Sequence, residues 1–419
     1  MLPKSRRASV RVNVFDKQPS DRLPDSFSEG AVLLTHLRDK GVLERVCELL
    51  KVPRQGGYQG IDIFLFFMHY FAGHSDKGLM ACSDALHSHR SRLAALGERL
   101  HIPTCSSVSR YLDAVPEDAT EALDLYLLLE ASGGCTLLSE PAVTARDGLG
   151  AGWHVFDLDP TSKVLRQRAL PEGESLPTAR RRAIEALAGY FGRKRGELKI
   201  SRTTLQHAGS GLWLGMWTAP GNGDWRNYSH KAIARVREVC TTAGLCYERA
   251  LIRVDGEGGN TPFITGCQEA GLHYLTRLAA YELFDMPAIC MYLNAAVWHE
   301  VEDSGSGPKR YAVDLGRIQL PCSPRTLRED GTPFAPVMSR VVVARYRSET
   351  GRGAGRLLDG WNYELFATDL EAEAYVAPEV VTHPLRINTV DGAARRIGSG
   401  RRTASWDWIG YTATISHLH

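Results

Sequence analysis

Apolar positions along the chain fall into successive regimes. Up to about residue 135 they recur at helical spacing, in Ser28 to Leu50, Ile61 to Phe71 and Leu79 to Leu100. From Gly152 short apolar runs alternate with amphipathic stretches. Trp153 to Asp159 reads as a strand ending in acids, with Val164 to Leu170 as its hairpin partner. Gly211 to Trp217 reads as a second strand, and residues 228–243 as a helix ending at Gly244. Leu251 to Asp255 is a further strand ending in an acid, residues 261–270 a helix stopped by Gly271, and His273 to Leu278 a strand. This alternation predicts an α/β layer with a central sheet. Residues 281–356 are richer in β-branched and turn residues, with Arg340 to Tyr346 strand-like, and predict a mainly β insertion. Tyr363 to Thr368 then returns as a core strand.

Within the helical region, Ile102-Pro103-Thr104-Cys105-Ser106-Ser107-Val108-Ser109-Arg110-Tyr111-Leu112 is the most informative segment. Thr104 caps a predicted helix whose inner face is Val108, Tyr111 and Leu112. Its outer face offers Ser106, Ser107, Ser109 and Arg110. With a helix and short turn before it, the segment has the shape of a helix-turn-helix reading a major groove. An ordinary capped surface helix has the same pattern.

Composition narrows the picture. The 419 residues suggest two or three domains, and 43% hydrophobic content excludes global disorder. Lys plus Arg is 50 and Asp plus Glu 48, for a net charge of +2, which excludes a wholly basic binder. The average hides a basic stripe: Arg180, Arg181, Arg182, Arg193, Lys194, Arg195, Lys199 and Arg202 stand against Glu185 and Glu197. A solvated helix face and a phosphate-tracking surface both fit. A looser cluster comprises Arg345, Arg347, Arg352 and Arg356. No run reaches the roughly 18 apolar residues of a membrane span, since Phe64 to Gly73 is too short. The basic N-terminus has no apolar stretch of a signal peptide. Nine scattered cysteines without a C-x-x-C pair predict neither zinc fingers nor a disulfide framework, and fit a cytoplasmic protein. The histidines have no metal-ligand spacing and read as surface residues.

Two strand-terminal acids, Asp159 and Asp255, are the candidates for chemistry. Carboxylates on adjacent strands hold Mg²⁺ or Mn²⁺, and a metal pair about 3.5–4 Å apart serves phosphoryl transfer. The same acids suit salt bridges or caps. Asp157-Leu158-Asp159-Pro160-Thr161 also has the form of a D-x-D-x-T phosphatase motif with Asp157 as nucleophile, but no downstream acidic pair completes it. Gly256-Glu257-Gly258-Gly259-Asn260 lacks the G-K-[ST] of a P-loop.

Taken in order, these pieces resemble bacterial DDE transposases of the insertion-sequence-four superfamily, from about residue 25 to about residue 382. The likeness is carried by I-P-T-C-S-S-V-S-R-Y-L, by D-L-D-P-T and by A-P-G-N-G (Ala219 to Gly223). It continues through L-I-R-V-D-G-E-G-G-N-T-P-F with G-L-H-Y-L-T-R-L, and ends in Y-E-L-F-A-T-D-L. The resemblance implies a helical DNA-binding region over 1–135 and an RNase H-like catalytic core. That core would begin over 150–280, be interrupted by the mainly β insertion 281–356, and resume over 357–382. Asp159 and Asp255 would be the first two ligands of a two-metal Mg²⁺ or Mn²⁺ site. Asp157 would be a strand neighbour, and the Arg180 to Arg202 stripe a DNA contact. The partners implied are double-stranded DNA, as terminal inverted repeats and target, and a second copy in a synaptic homodimer, in a bacterial cytoplasm at the nucleoid. The reaction implied is metal-dependent cleavage at transposon ends followed by strand transfer. A non-catalytic DNA-binding remnant or regulator is the alternative.

The chain departs from the family over 383–419. The expected Y-x2-R-x3-E is absent, no closing apolar periodicity is evident, and Asp391 is the sole acid in the right neighbourhood. Read from the third base of each codon, Ser405-Trp406-Asp407-Trp408-Ile409 gives Leu-Gly-Leu-Asp almost regardless of codon choice, a sequence this family carries downstream of its Glu. In that frame, codons spanning Asn388/Thr389, Asp391/Gly392 and Arg395/Arg396 permit Tyr, Arg and Glu. This points to a frameshift between about Thr382 and Asn388, mutational or programmed, with 383–419 as an out-of-frame tail.

Overall fold

The structure is a computed structural model that describes residues 28–52, 57–71, 78–87, 89, 102–133, 144–164, 187–191, 194–220, 229–302, 308–322, 327–328, 330–347 and 355–385. The chain forms two units, Met1–Ala119 and Thr120–His419.

The first unit is helical: α1 (Ser28–Asp39), α2 (Val42–Leu49), α3 (Gly60–His69), α4 (Gly78–His87) and α5 (Cys105–Leu112). Gly41, with φ 70°, makes the left-handed turn from α1 to α2 that a Cβ would strain. Every residue of α3 is buried, as its unbroken apolar run demands. Its one acid, Asp62, accepts the Gln59 amide at 2.7 Å and so closes a capping box. α5 is anchored by its inner face, where Val108 and Tyr111 are buried and the Tyr111 hydroxyl donates to the Leu50 carbonyl at 2.6 Å.

The boundary between units falls inside α6 (Glu117–Gly133). The later part of α6 belongs to the second unit through Asp124, which accepts Arg235 Nη1 at 2.8 Å with both side chains buried.

The rest of the second unit is one twelve-stranded mixed sheet with helices on both faces. Its elements are β1 (Ala145–Arg146), β2 (Gly152–Val164), β3 (Leu187–Phe191), β4 (Lys194–His207), β5 (Trp213–Pro220), α7 (Ser229–Ala243), β6 (Ala250–Gly259), α8 (Thr261–Ala270), β7 (His273–Leu278), α9 (Pro287–Ala295), β8 (His299–Val301), β9 (Arg310–Gln319), β10 (Met338–Arg347), β11 (Arg356–Leu358), β12 (Trp361–Thr368) and α10 (Ala377–Leu385). The strand order is β3-β4-β2-β6-β7-β12-β10-β9-β8, with β1 on β2, β5 on β4 and β11 on β12. β2, β4 and β5 pair antiparallel. β2–β6 and β6–β7 pair parallel. From β7 through β12, β10 and β9 to β8 all pairs are antiparallel. The strands of 281–356 therefore extend the same sheet through β12.

Side chains alternate between the two faces. Phe156, Leu158, Ile252, Val254 and Tyr274 pack with Ala232, Val236 and Val239 of α7, and with Phe263 and Ile264 of α8. Trp153, Val155, Leu251, Leu275 and Phe366 face the other way and pack with Tyr375 and with Val380 and Val381 of α10. β6 is buried on both faces, which is why Leu251 to Val254 is almost unbroken apolar sequence.

Several expectations are corrected. Among the described residues β2 pairs antiparallel with β1 and β4, and Val164 belongs to β2 itself; residues 165–170, the rest of the expected hairpin partner, lie outside the described residues. The described part of the basic stripe is strand, not helix: Leu187–Phe191 and Lys194–His207 are strands, while residues 180–186 and 192–193 lie outside the described residues. Burial of Ile200, Thr203, Thr204 and Leu205 fixes β4 in the sheet against its basic start. Histidines are not confined to the surface, since His69, His154 and His207 are buried. His154 Nδ1 lies 3.3 Å from His207 Nε2, and Ser210 bonds His207 Nδ1 at 2.9 Å. Burial, and then His154, lowers His207 from the ordinary 6.5 to about 4, so His207 sits neutral in the core. α10 runs to Leu385, three residues past 382, and residues 386–419 of the expected tail lie outside the described residues.

Candidate active site

β2 and β6 run side by side and parallel, in register from His154–Ala250 to Leu158–Val254. One step further along each strand stand Asp159 and Asp255. Both are exposed, and alternation puts both on the face of Trp153, Val155 and Leu251. The strands part at this point. β2 stays paired with β4 (Asp159–Thr204, Pro160–Thr203), while β6 bulges, its register with β7 jumping between Val254 and Gly259. The bulge needs glycine: a Cβ on Gly259 would stand 2.0 Å from the Arg277 carbonyl oxygen. The acids thus stand one position past the last β2–β6 register pair, on the same face of neighbouring strands.

Local bonds hold each acid. The Thr161 hydroxyl donates to Asp159 Oδ2 at 2.8 Å. The Asp255 carbonyl accepts the Thr276 hydroxyl at 3.1 Å. Two residues back, Asp157 and Arg253 pair across the same strands, with Nε to Oδ1 at 2.7 Å and Nη2 to Oδ2 at 2.8 Å. Glu364 on β12 is a further buried acid on this face. Its Oε1 takes Arg277 at 2.5 Å and its Oε2 takes Arg310 at 3.0 Å, so both oxygens are committed to arginines. Among the described residues no group of three or more His, Cys, Asp or Glu is placed to hold a metal. Asp159 and Asp255 supply two adjacent, solvent-reachable oxygen donors, a set that fits a hard divalent cation in type but not yet in number.

The other sequence candidates are scattered. Asp391, Arg180, Arg181, Arg182 and Arg193 lie outside the described residues, and of Lys194 and Arg195 only the strand backbone is described. On α5 the Thr104 hydroxyl accepts the Ser107 amide at 3.3 Å. Ser106 and Arg110 are exposed, Ser107 and Ser109 half-buried, and Arg110 Nε bonds the Ser106 carbonyl at 3.1 Å. Arg345 lies 3.9 Å from the Trp298 ring centroid and 4.6 Å from that of Trp361. Arg347 also covers Trp361, and Arg356 pairs with Asp285 at 2.6 Å. That basic cluster is thus largely tied to aromatic rings and an acid.

The sequence reading missed the Asp157–Arg253 rung and the Glu364 cluster. The first had a signal: D-x-D beside R-x-D on parallel strands in register makes one rung of opposite charge and one of like charge.

No family model and no curated protein matches the chain. Among solved structures it is similar to a piggyBac transposase synaptic complex with hairpin DNA, at 11% identity and TM-score 0.36, over 92% of this chain and 73% of that one. It is also similar to a Mos1 transposase paired-end complex with the left transposon end, at 11% identity and TM-score 0.20, over 60% of this chain and 78% of that one. At these scores neither fold nor reaction follows from the likeness. No described helix is long and apolar enough to cross a membrane.

Proposed function

We propose that this chain is a DDE-type transposase whose second unit is an RNase H-like core, and that Asp159 and Asp255 are two of its metal-binding acids. One observation carries the reading: two exposed aspartates stand next to each other on neighbouring parallel strands, on one face, where the strands part. The surrounding topology agrees. Three antiparallel strands (β5, β4, β2) are followed by two parallel ones (β6, β7), joined through α7 and α8 on one face, with α10 on the face of the acids. The ordered motifs named above are the remaining support.

In this reading Asp159 and Asp255 hold Mg²⁺ or Mn²⁺, which when bound polarises a phosphodiester and activates the attacking oxygen. Thr161 orients the Asp159 carboxylate. Glu364 supplies no third ligand because its arginines occupy it. The third acid of the family would have to come from beyond Leu385, where Asp391 is the candidate in the present frame, and a frameshift near Thr382 to Asn388 accounts for the missing Glu. The proposed partners are double-stranded DNA at transposon ends and target, with two copies joining two ends.

The phosphatase reading is disfavoured, since Asp157 is buried and both its oxygens bond Arg253. A DNA-binding remnant without cutting is the second reading, favoured by the lack of a three-residue metal-holding group among the described residues. The test is incubation of the full chain with Mn²⁺ and duplex DNA bearing the inverted repeats that flank its gene. Cutting that disappears in Asp159→Ala, Asp255→Ala and Asp391→Ala supports the three-acid enzyme. Binding without cutting supports the remnant, and neither binding nor cutting would sink both.

A further inference from the structure

The Asp157–Arg253 pair has a role that neither the sequence motifs nor the proposed reaction assigns. Both residues are register partners in the parallel β2–β6 ladder. Both are buried, at 7% and 4% exposure, and they meet through the two-pronged bond described above. The rung lies two residues before Asp159 and Asp255 and on their face. Only Leu158–Val254 separates it from the end of the ladder.

Beyond that end the described residues show no backbone rung joining β2 to β6. Pro160 brings no amide donor, and β6 turns toward β7 at the Gly259 bulge. Two like charges side by side push their strands apart. One register position before the ladder ends, the Asp157–Arg253 rung ties the two strands through their side chains. A planar guanidinium holding both oxygens of one carboxylate fixes angle as well as distance, and the pair is neutral, so it leaves the charge of the two acids intact.

We propose that Asp157 and Arg253 are positioning residues that set the spacing of the Asp159 and Asp255 carboxylates for a divalent cation. This rests on the reading of those two acids as metal ligands. Supporting groups of this kind tune metal affinity by about 10–100-fold.

The experiment is a calorimetric Mn²⁺ titration of the full chain, with a thermal melt of each variant alongside. Wild type is expected to bind Mn²⁺, and Asp159→Ala to lose that binding. Asp157→Asn is expected to bind about 10–100-fold more weakly. The double variant D157L/R253M replaces the ion pair with apolar side chains, an exchange that buried pairs tolerate. It is expected to melt near wild type and still bind weakly, which a merely structural role would not produce. A double variant that melts like wild type and binds Mn²⁺ as tightly overturns the proposal. Should the double variant fail to fold, Arg253→Lys decides, since it keeps the charge and loses the fork: wild-type affinity in that variant overturns the proposal. If wild type and Asp159→Ala bind Mn²⁺ alike, the metal reading itself has failed, and the positioning role falls with it.

Discussion

Two sets of acids in the second unit obey different rules. Asp124, Asp157 and Glu364 are buried, and each lies against arginine: Arg235, Arg253, and Arg277 with Arg310. Asp159 and Asp255 stand one alternation further along the strands that carry Asp157 and Arg253, exposed and next to each other. The first set follows from desolvation, because a buried charge is tolerated only when paired and hydrogen-bonded. The second set is not required by desolvation, and like charges on adjacent strands are mildly destabilising. The fold explains the buried acids; the exposed two are those proposed above to meet a cation.

This contrast is open to attack by mutation. The largest effect is expected at Glu364→Ala, which strands two arginines over the sheet. Removing one partner of a buried pair costs about 3–5 kcal/mol, and a denaturant melt indistinguishable from wild type would show that burial does not demand the pairing. Asp124→Asn should fall at the lower end of that range. There, burial raises the carboxyl pKa while Arg235 pulls it back, so part of the pair's attraction is already offset.

Next comes the buried base. His207 titrates near 4 in the fold against 6.5 ordinarily, so the folded state binds fewer protons between those values. Its contribution is complete above about pH 6.5 and drains as pH falls toward 4, on the order of 3 kcal/mol in all. His69, lowered to about 4 by burial, adds the same window to the first unit. Melts of His207→Phe from pH 7 to 4 should show a shallower loss than wild type, and parallel curves would contradict the burial argument.

The smallest effect is expected at the exposed pair. Asp159→Asn and Asp255→Asn should change stability by no more than about 0.5 kcal/mol, the usual range for surface positions, and in the stabilising direction because repulsion is relieved. A loss of several kcal/mol would place these acids with the structural set.

How much of this was readable in the sequence depends on whether the local signal and the tertiary role agree. Gly244 and Gly271 end α7 and α8 where their residue type says a helix should stop, and His273–Leu278 is a strand from end to end. β4 was hidden because its first half is charged and its sheet neighbours are far away in sequence, so a basic stretch read as a helix face. α9 was hidden inside a segment read as mainly β, its apolar run being too short for periodicity to separate helix from strand. His154 and His207 were hidden because their burial rests on partners remote in sequence, each meeting the other across β2 and β4. The adjacency of Asp159 and Asp255 depends on parallel register, which no local pattern encodes. Each acid was nameable from its strand, but their pairing came from the topology.

The glycine at position 259 has a consequence for the gene as well as for the protein. Any change in the first or second base of a glycine codon installs a side chain or ends the chain. At this position even one carbon would stand 2.0 Å from the Arg277 carbonyl oxygen. The codon is therefore intolerant to drift in a way that neighbouring surface codons are not. Among sister copies of this gene, those released from selection should lose it early.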